Sequence, residues 1–163
     1  MDTPLSEKHA LLLRHTQQET EAAQLLMMVL RTAQLVDRAC ATQLAPFDLT
    51  EARFGVLLAA AEDPAATPAR LAAKLDITRA AVTGLVDGLV RQGLVTRHED
   101  PEDRRSLTVT VTLAGHATLA ALGPRYGEWL SSLAAGLSPS DIARASAALS
   151  TIQHQLATQD PRG

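Results

Sequence analysis

The most restrictive feature of this sequence is a short run, Leu107 to Thr112, in which apolar and hydroxyl side chains alternate strictly. A period of two predicts a β-strand with one buried face. A second strand-like stretch, Leu94 to His98, precedes it across a highly charged turn. The two stretches therefore predict a β-hairpin with a charged tip, placed within a chain whose other segments show helical periodicity.

Three short helices are predicted before the hairpin. Thr50, Thr67 and Thr78 are each positioned as N-caps, and Pro68 follows Thr67 at the first helical position, where its missing N–H costs nothing. Gly93 supplies the left-handed residue that ends the third helix. Three short helices joined by tight turns predict a helix-turn-helix core.

Longer amphipathic helices are predicted on both sides of this core. One block extends from about Glu7 to Leu44, and the sequence leaves open whether residues 1–20 form a separate helix. After the hairpin, helices are predicted over about Leu113 to Ala135 and Pro139 to Thr158. The last helix carries a narrow apolar seam, which is typical of packing on another helix, so we expect the first and last helices to pair with a second chain. The seam consists of Ile142, Ala145, Leu149, Ile152 and Leu156.

The composition is that of one compact soluble domain. Its 163 residues are 46% hydrophobic and 2% aromatic, with a formal net charge of −3, so any DNA-binding surface must gather its arginines in one place. The single cysteine excludes a disulfide framework, and the spacing of the histidines predicts no metal site. We expect no cofactor. No arrangement typical of an enzyme active site is evident. With no secretory signal and no apolar run of membrane-spanning length, we expect a cytoplasmic protein.

The third helix of the core has a polar face and an apolar face. Arg79, Thr83 and Asp87 recur at four-residue steps, and such a face suits major-groove reading, although it also fits an ordinary solvated helix. Arg104 and Arg105 at the hairpin tip suit phosphate or minor-groove contact, although four neighbouring acids also fit a self-neutralised turn. The buried stripe predicted for this helix is Val82, Leu85, Val86, Leu89 and Val90.

From Leu49 to Gly115 the sequence resembles the MarR (multiple antibiotic resistance regulator) family of dimeric winged helix-turn-helix transcription factors. The resemblance is carried by DITRAAVTGLVDGLVRQGLVTR, from Asp76 to Arg97, and by the wing DPEDRRSLTVTVTLAG, from Asp100 to Gly115. It implies a mainly α-helical protein with a small β-hairpin wing. The regions implied are residues 1–48 for dimerisation, 49–115 for DNA binding and 116–163 for dimerisation.

The resemblance also implies a function. Members of the family are homodimeric regulators, often repressors, that bind a pseudo-palindromic operator in double-stranded DNA and are often released by a small phenolic or aromatic effector. By position, Asp103 would orient an arginine of the wing. The implied DNA contacts are Thr67, Arg70, Thr78, Arg79, Thr83, Arg104 and Arg105.

Gly84 and Gly88 depart from the family pattern, which often has basic residues at both positions. Two fewer cations predict a shallower salt dependence of DNA binding, and each glycine costs about 1 kcal/mol of helix stability relative to alanine. Two alternatives stay open: a winged-helix protein-interaction module without DNA binding, and a thiol redox switch at Cys40. Cys40 lies on an apolar stripe, so we expect a buried structural thiol, because reactivity requires an exposed thiolate.

Overall fold

The computed structural model describes residues 7–16, 20–99 and 107–159, which form helices, one β-hairpin and the turns that connect them. This confirms the predicted mainly α architecture with a hairpin wing. None of the helices in this described part of the chain is both long enough and apolar enough to cross a membrane. The elements are α1 (Glu7–Thr16), α2 (Glu21–Leu44), a 3-10 turn (Ala45–Phe47), α3 (Glu51–Glu62), α4 (Pro68–Leu75), α5 (Arg79–Arg91), β1 (Val95–Glu99), β2 (Leu107–Val111), α6 (Leu113–Leu133) and α7 (Pro139–Gln159).

The contacts divide the chain into two compact units, Met1–Leu122 and Gly123–Gly163. The first unit contains α1 to α5, the hairpin and the beginning of α6. The second contains the remainder of α6 and α7. The three functional regions expected from the family resemblance stay a prediction.

The predicted N-caps of α3, α4 and α5 are confirmed. The side-chain oxygens of Thr50, Thr67 and Thr78 each accept a hydrogen bond from the backbone N–H three residues later, at 3.3, 3.3 and 3.2 Å. Gly93 follows Gln92, the C-cap of α5, and has a φ of +71°, as the predicted helix end requires. Local sequence therefore sets where the core helices begin and where α5 ends.

The core of the first unit lies where α3, α4 and α5 pack together and against the hairpin. The predicted buried stripe on α5 is partly wrong, because Val90 is 38% exposed and Leu85 is half-buried. The elements packed against α5 bury a narrower strip of this helix than its apolar periodicity indicates. The fully buried side chains here include Leu57, Leu71, Val82, Val86, Leu89, Val95 and Val109.

The hairpin is antiparallel, and its register places Val95 opposite Val111 and Arg97 opposite Val109. Strand β1 begins at Val95 rather than at the predicted Leu94. Leu94 belongs to the turn after α5, where its N–H donates to the carbonyl of Leu89 at 3.0 Å. The N–H of Val109 donates to the carbonyl of Ala66 at 2.8 Å, which joins the hairpin to the connection between α3 and α4.

The base of the hairpin is joined to the first turn of α6 through Thr112. Its hydroxyl donates to the carbonyl of Gly93 at 2.7 Å and accepts from the N–H of Gly115 at 3.0 Å. A Cβ added to Gly115 would lie 2.2 Å from the carbonyl oxygen of Leu94 and 2.6 Å from a methyl group of Val111. Only glycine fits at this position without movement of the backbone.

The block expected from about Glu7 to Leu44 contains two helices, α1 and α2, and the question left open for the N-terminus is answered for residues 7–16, which form α1. Helix α2 begins at Glu21, with Thr20 as its N-cap accepting from the N–H of Ala23 at 3.2 Å. A capping threonine followed by an acid in the first turn is a start signal that apolar periodicity alone does not reveal.

Candidate nucleic-acid interface

Helix α5 presents an open surface over its N-terminal half. Arg79 and Thr83 are both exposed, and the Thr83 hydroxyl donates to the carbonyl of Arg79 at 2.9 Å. Ala80 and Gly84 are also exposed, and a Cβ added at Gly84 would have no neighbour within 4 Å. Small side chains therefore leave space for a large ligand to approach this part of the helix.

Arg79 is the cation best placed on that surface. It is the first residue of α5, directly after the Thr78 cap, and its guanidinium has no ion pair with any residue that the structure describes. Thr78 uses its side-chain oxygen as acceptor for the N–H of Ala81, which leaves the hydroxyl hydrogen for another partner. This end of α5 combines donors with the positive end of the helix dipole, which suits an anionic or acceptor-rich ligand.

Asp87 on the same helix is neutralised from the hairpin. A guanidinium nitrogen of Arg97 in β1 lies 2.5 Å from a carboxylate oxygen of Asp87, and another lies 3.2 Å from the carbonyl of Thr83. The pair removes a negative charge that would repel phosphate and holds β1 against α5. The pairing of Arg97 with Asp87 was not predicted from the sequence. The signal that could have revealed it is Asp87 itself, because an acid on a face expected to meet DNA requires a cation nearby.

The cations of α4 are engaged by acids at the end of α3. Arg70 lies 2.8 Å from Asp63, although its side chain is 62% exposed, and Lys74 lies 2.7 Å from Glu62. The hydrogen bond and charge of Lys74 lower the pKa of the Glu62 carboxyl below its usual value. A phosphate at the N-terminus of α4 must therefore compete with Asp63 for Arg70.

The wing tip cannot be placed in the same way. Asp103, Arg104 and Arg105 lie outside the described residues, which end at Glu99 on one side of the turn and resume at Leu107 on the other. The structure brings Thr78, Arg79 and Thr83 together on one helix end. It places Thr67 and Arg70 on the preceding helix.

Cys40 lies near the C-terminal end of α2 and is 3% exposed, which confirms the predicted burial. We therefore expect a thiol reagent to label the native protein far more slowly than the protein unfolded in guanidinium, because attack requires an accessible thiolate. The released chromophore of a disulfide reagent, followed over time in both states, measures the difference. Equally fast labelling in the two states would contradict the buried assignment and return the redox switch to consideration.

Comparison with known proteins places these features in context. Residues 47–106 match the sequence model described as the MarR family. The chain is 36% identical over 80 residues to the HTH-type transcriptional repressor YetL of Bacillus subtilis (strain 168), and the match covers 48% of each protein. It is 36% identical over 81 residues to the multiple antibiotic resistance protein MarR of Escherichia coli (strain K12), covering 50% of this chain and 56% of MarR. These matches thus span about half the length of the curated relatives.

A solved structure extends the similarity along the chain. The crystal structure of a variant of MarR from E. coli, complexed with operator DNA, matches with a TM-score of 0.68 and 29% sequence identity. The match covers 77% of this chain and 90% of that one. The similarity therefore includes helices outside the region that the family model matches.

Proposed function

Because this chain belongs to the MarR family, we propose that it is a homodimeric transcriptional regulator, acting as a repressor, that binds a pseudo-palindromic operator in double-stranded DNA. The observation that carries the proposal is the open N-terminal half of α5, where exposed Arg79 and Thr83 follow a capped helix start. This helix lies within the region matched by the family model, and the similar MarR variant was crystallised with operator DNA. A cytoplasmic location, where the DNA lies, is part of the proposal.

The residues divide between two kinds of contact. Thr78, Arg79 and Thr83 would face base edges and the adjacent backbone in the major groove, because the N-terminal part of a recognition helix enters that groove. Thr67 and Arg70 would meet phosphate at the N-terminus of α4, where backbone N–H groups are available to an anion. At the wing tip, Arg105 would enter the minor groove and Arg104 would lie near phosphate, with Asp103 orienting the wing arginine.

Exposed apolar side chains support the dimer. Helix α7 has no buried residue, and Leu156 on its predicted seam is 61% exposed. Apolar surface of this extent along a helix is typical of a subunit interface. Two winged helices joined in this way would present their recognition helices to half-sites about 34 Å apart. The other exposed apolar residues include Leu25, Leu26, Leu30 and Leu35 on α2 and Ile142 and Leu149 on α7.

The experiment that tests this function is a fluorescence-anisotropy titration with the labelled duplex from upstream of the coding sequence, in excess unrelated duplex. We expect saturation at one dimer per site and resistance to the competitor. Loss of binding with competitor or modest salt would reduce the interaction to phosphate attraction and overturn the proposal. In the same assay, a panel of hydroxybenzoates tests the second part of the proposal, release of DNA by a small phenolic or aromatic effector.

We expect the salt dependence of operator binding to correspond to fewer than about 8 phosphate contacts, that is, a slope of log K against log salt shallower than about −7. Gly84 and Gly88 contribute no cation, and Arg70, Lys74 and Arg97 are already paired with carboxylates. Titrations at four salt concentrations give the slope. Gly84→Lys adds one cation to each protomer where space is open and should steepen the slope for the dimer by about 1.8. A steeper wild-type slope would contradict the prediction.

A further inference from the structure

The space beside Gly88 on α5, where a side chain of residue 88 would lie, is filled by the side chain of Arg53 from α3. A Cβ added to Gly88 would lie 2.6 Å from Nε of Arg53 and 2.8 Å from one of its terminal nitrogens. Arg53 belongs to the first turn of α3, and its guanidinium therefore rests directly on the backbone of α5. A glycine at position 88 is what makes this contact possible.

The charge of Arg53 is not neutralised by the protein that surrounds it. The ion pairs within the described ranges engage Arg70, Lys74, Arg97 and Arg144, and none of them involves Arg53. Its side chain is half-buried, so α5 restricts its conformations while part of it stays accessible. A guanidinium held in place without a carboxylate is suited to an external anion, because less conformational freedom is lost on binding.

The location of this guanidinium relates it to the DNA-facing side of α5. Gly88 lies four residues after Gly84, so the two glycines are neighbours along the helix surface, and Gly84 faces open space. Arg91, three residues after Gly88, is exposed. The Arg53 guanidinium thus lies beside a strip of α5 that has no large side chain of its own at these two turns.

We propose that Arg53 is a DNA-backbone contact, whose guanidinium binds a phosphodiester oxygen beside the C-terminal half of α5 in place of a cation carried by α5 itself. This inference rests on the proposed function, since it requires that α5 meets DNA. It explains a feature of the sequence that otherwise counts only as a loss. Gly88 costs helix stability, but its lack of a side chain admits a cation from α3.

The test is the salt dependence of operator binding for wild type and five variants: Arg53→Ala, Gly88→Ala, the double variant of these two, Arg53→Lys and Gly84→Ala. Removing one phosphate contact from each protomer of the dimer should lower the magnitude of the slope by about 1.8. Between about 50 and 200 mM salt, Arg53→Ala should therefore lose about 12-fold less affinity than wild type does. Its affinity should fall by a similar factor on operator and on unrelated duplex, because a phosphate contact carries no base preference.

Gly88→Ala separates the position of the guanidinium from its charge. The new methyl group displaces the end of a flexible side chain rather than backbone, so the fold should be retained while the guanidinium leaves α5. We expect this variant to show the same shallower slope as Arg53→Ala, and the double variant to add nothing further. Gly84→Ala makes the same substitution one turn earlier in open space and should keep the wild-type slope.

Each result decides the matter. If wild type binds specifically and Arg53→Ala or Gly88→Ala keeps its slope, the inference is wrong while the proposed function stands. If wild type does not bind specifically, the proposed function fails and the inference fails with it. A purely structural role for Arg53 would lower the melting temperature without moving the slope, and that outcome also overturns the inference. Recovery of the slope in Arg53→Lys supports it, because lysine returns the charge.

Discussion

Replacing Gly115 with alanine is expected to lower the free energy of unfolding by about 3 kcal/mol, at the upper end of what overpacking costs. The added Cβ would lie 2.2 Å from the carbonyl oxygen of Leu94 and 2.6 Å from Val111. The carbonyl cannot simply turn away, because it accepts a hydrogen bond from the N–H of Thr112 at 3.0 Å. Relief therefore requires the turn after α5 and the first turn of α6 to separate.

Urea denaturation of wild type and variant measures this change. The matched control is Gly84→Ala, where the same methyl group meets nothing within 4 Å and should raise stability by about 0.5–1 kcal/mol through helix propensity. If Gly115→Ala lowers the free energy of unfolding and Gly84→Ala raises it, the loss at position 115 is due to the contact with Leu94, because the added methyl group is the same in both variants. A Gly115→Ala variant as stable as wild type would show that the junction tolerates the side chain.

Arg79→Ala should weaken operator binding by about 1–3 kcal/mol, or about 5- to 150-fold, while binding to unrelated duplex falls much less. Arg79 is exposed at the first position of α5, without an ion pair to any described residue, so its removal should leave the fold intact. The measurement is the ratio of the two dissociation constants at a single salt concentration. Loss of a specific contact lowers the ratio of the dissociation constant for unrelated duplex to that for the operator, whereas loss of general attraction leaves this ratio unchanged.

Two control variants make the result for Arg79 interpretable. Arg79→Lys keeps the charge but loses the planar, two-pronged donor, so it should recover affinity for unrelated duplex more fully than affinity for the operator. Arg125→Ala removes an exposed arginine from the second unit and tests the effect of net charge alone. If Arg125→Ala lowers the specificity ratio as much as Arg79→Ala does, Arg79 is not a reading residue.

The sequence predicted the parts of this fold that depend on local chemistry. Thr50, Thr67 and Thr78 cap helices because a side-chain oxygen reaches a backbone N–H three residues later, and this requires nothing from the rest of the chain. The alternation in β2 and the left-handed Gly93 are local in the same sense. For that reason the starts of α3, α4 and α5 and the bounds of the hairpin strands were predictable within about a residue.

The features that the sequence did not reveal depend on which elements meet. The exposure of Val90 follows from how much of α5 its neighbours cover, and periodicity does not specify that width. The contact of Arg97 with Asp87 joins a strand to a helix, and that of Arg53 with Gly88 joins two helices. Long flexible side chains reach such partners only in the assembled fold, so residue spacing along one helix cannot predict them.

The arginine resting on Gly88 also constrains the order in which this protein can change over evolutionary time. A larger residue at position 88 is accommodated only if Arg53 moves aside, and Arg53 keeps its place only while position 88 stays glycine. The two positions are therefore epistatic, because a larger side chain at position 88 fits without conflict only where position 53 carries a smaller residue. A substitution at position 88 will therefore have one effect in a chain that carries Arg53 and another in a chain that does not, which a survey of single positions would not show.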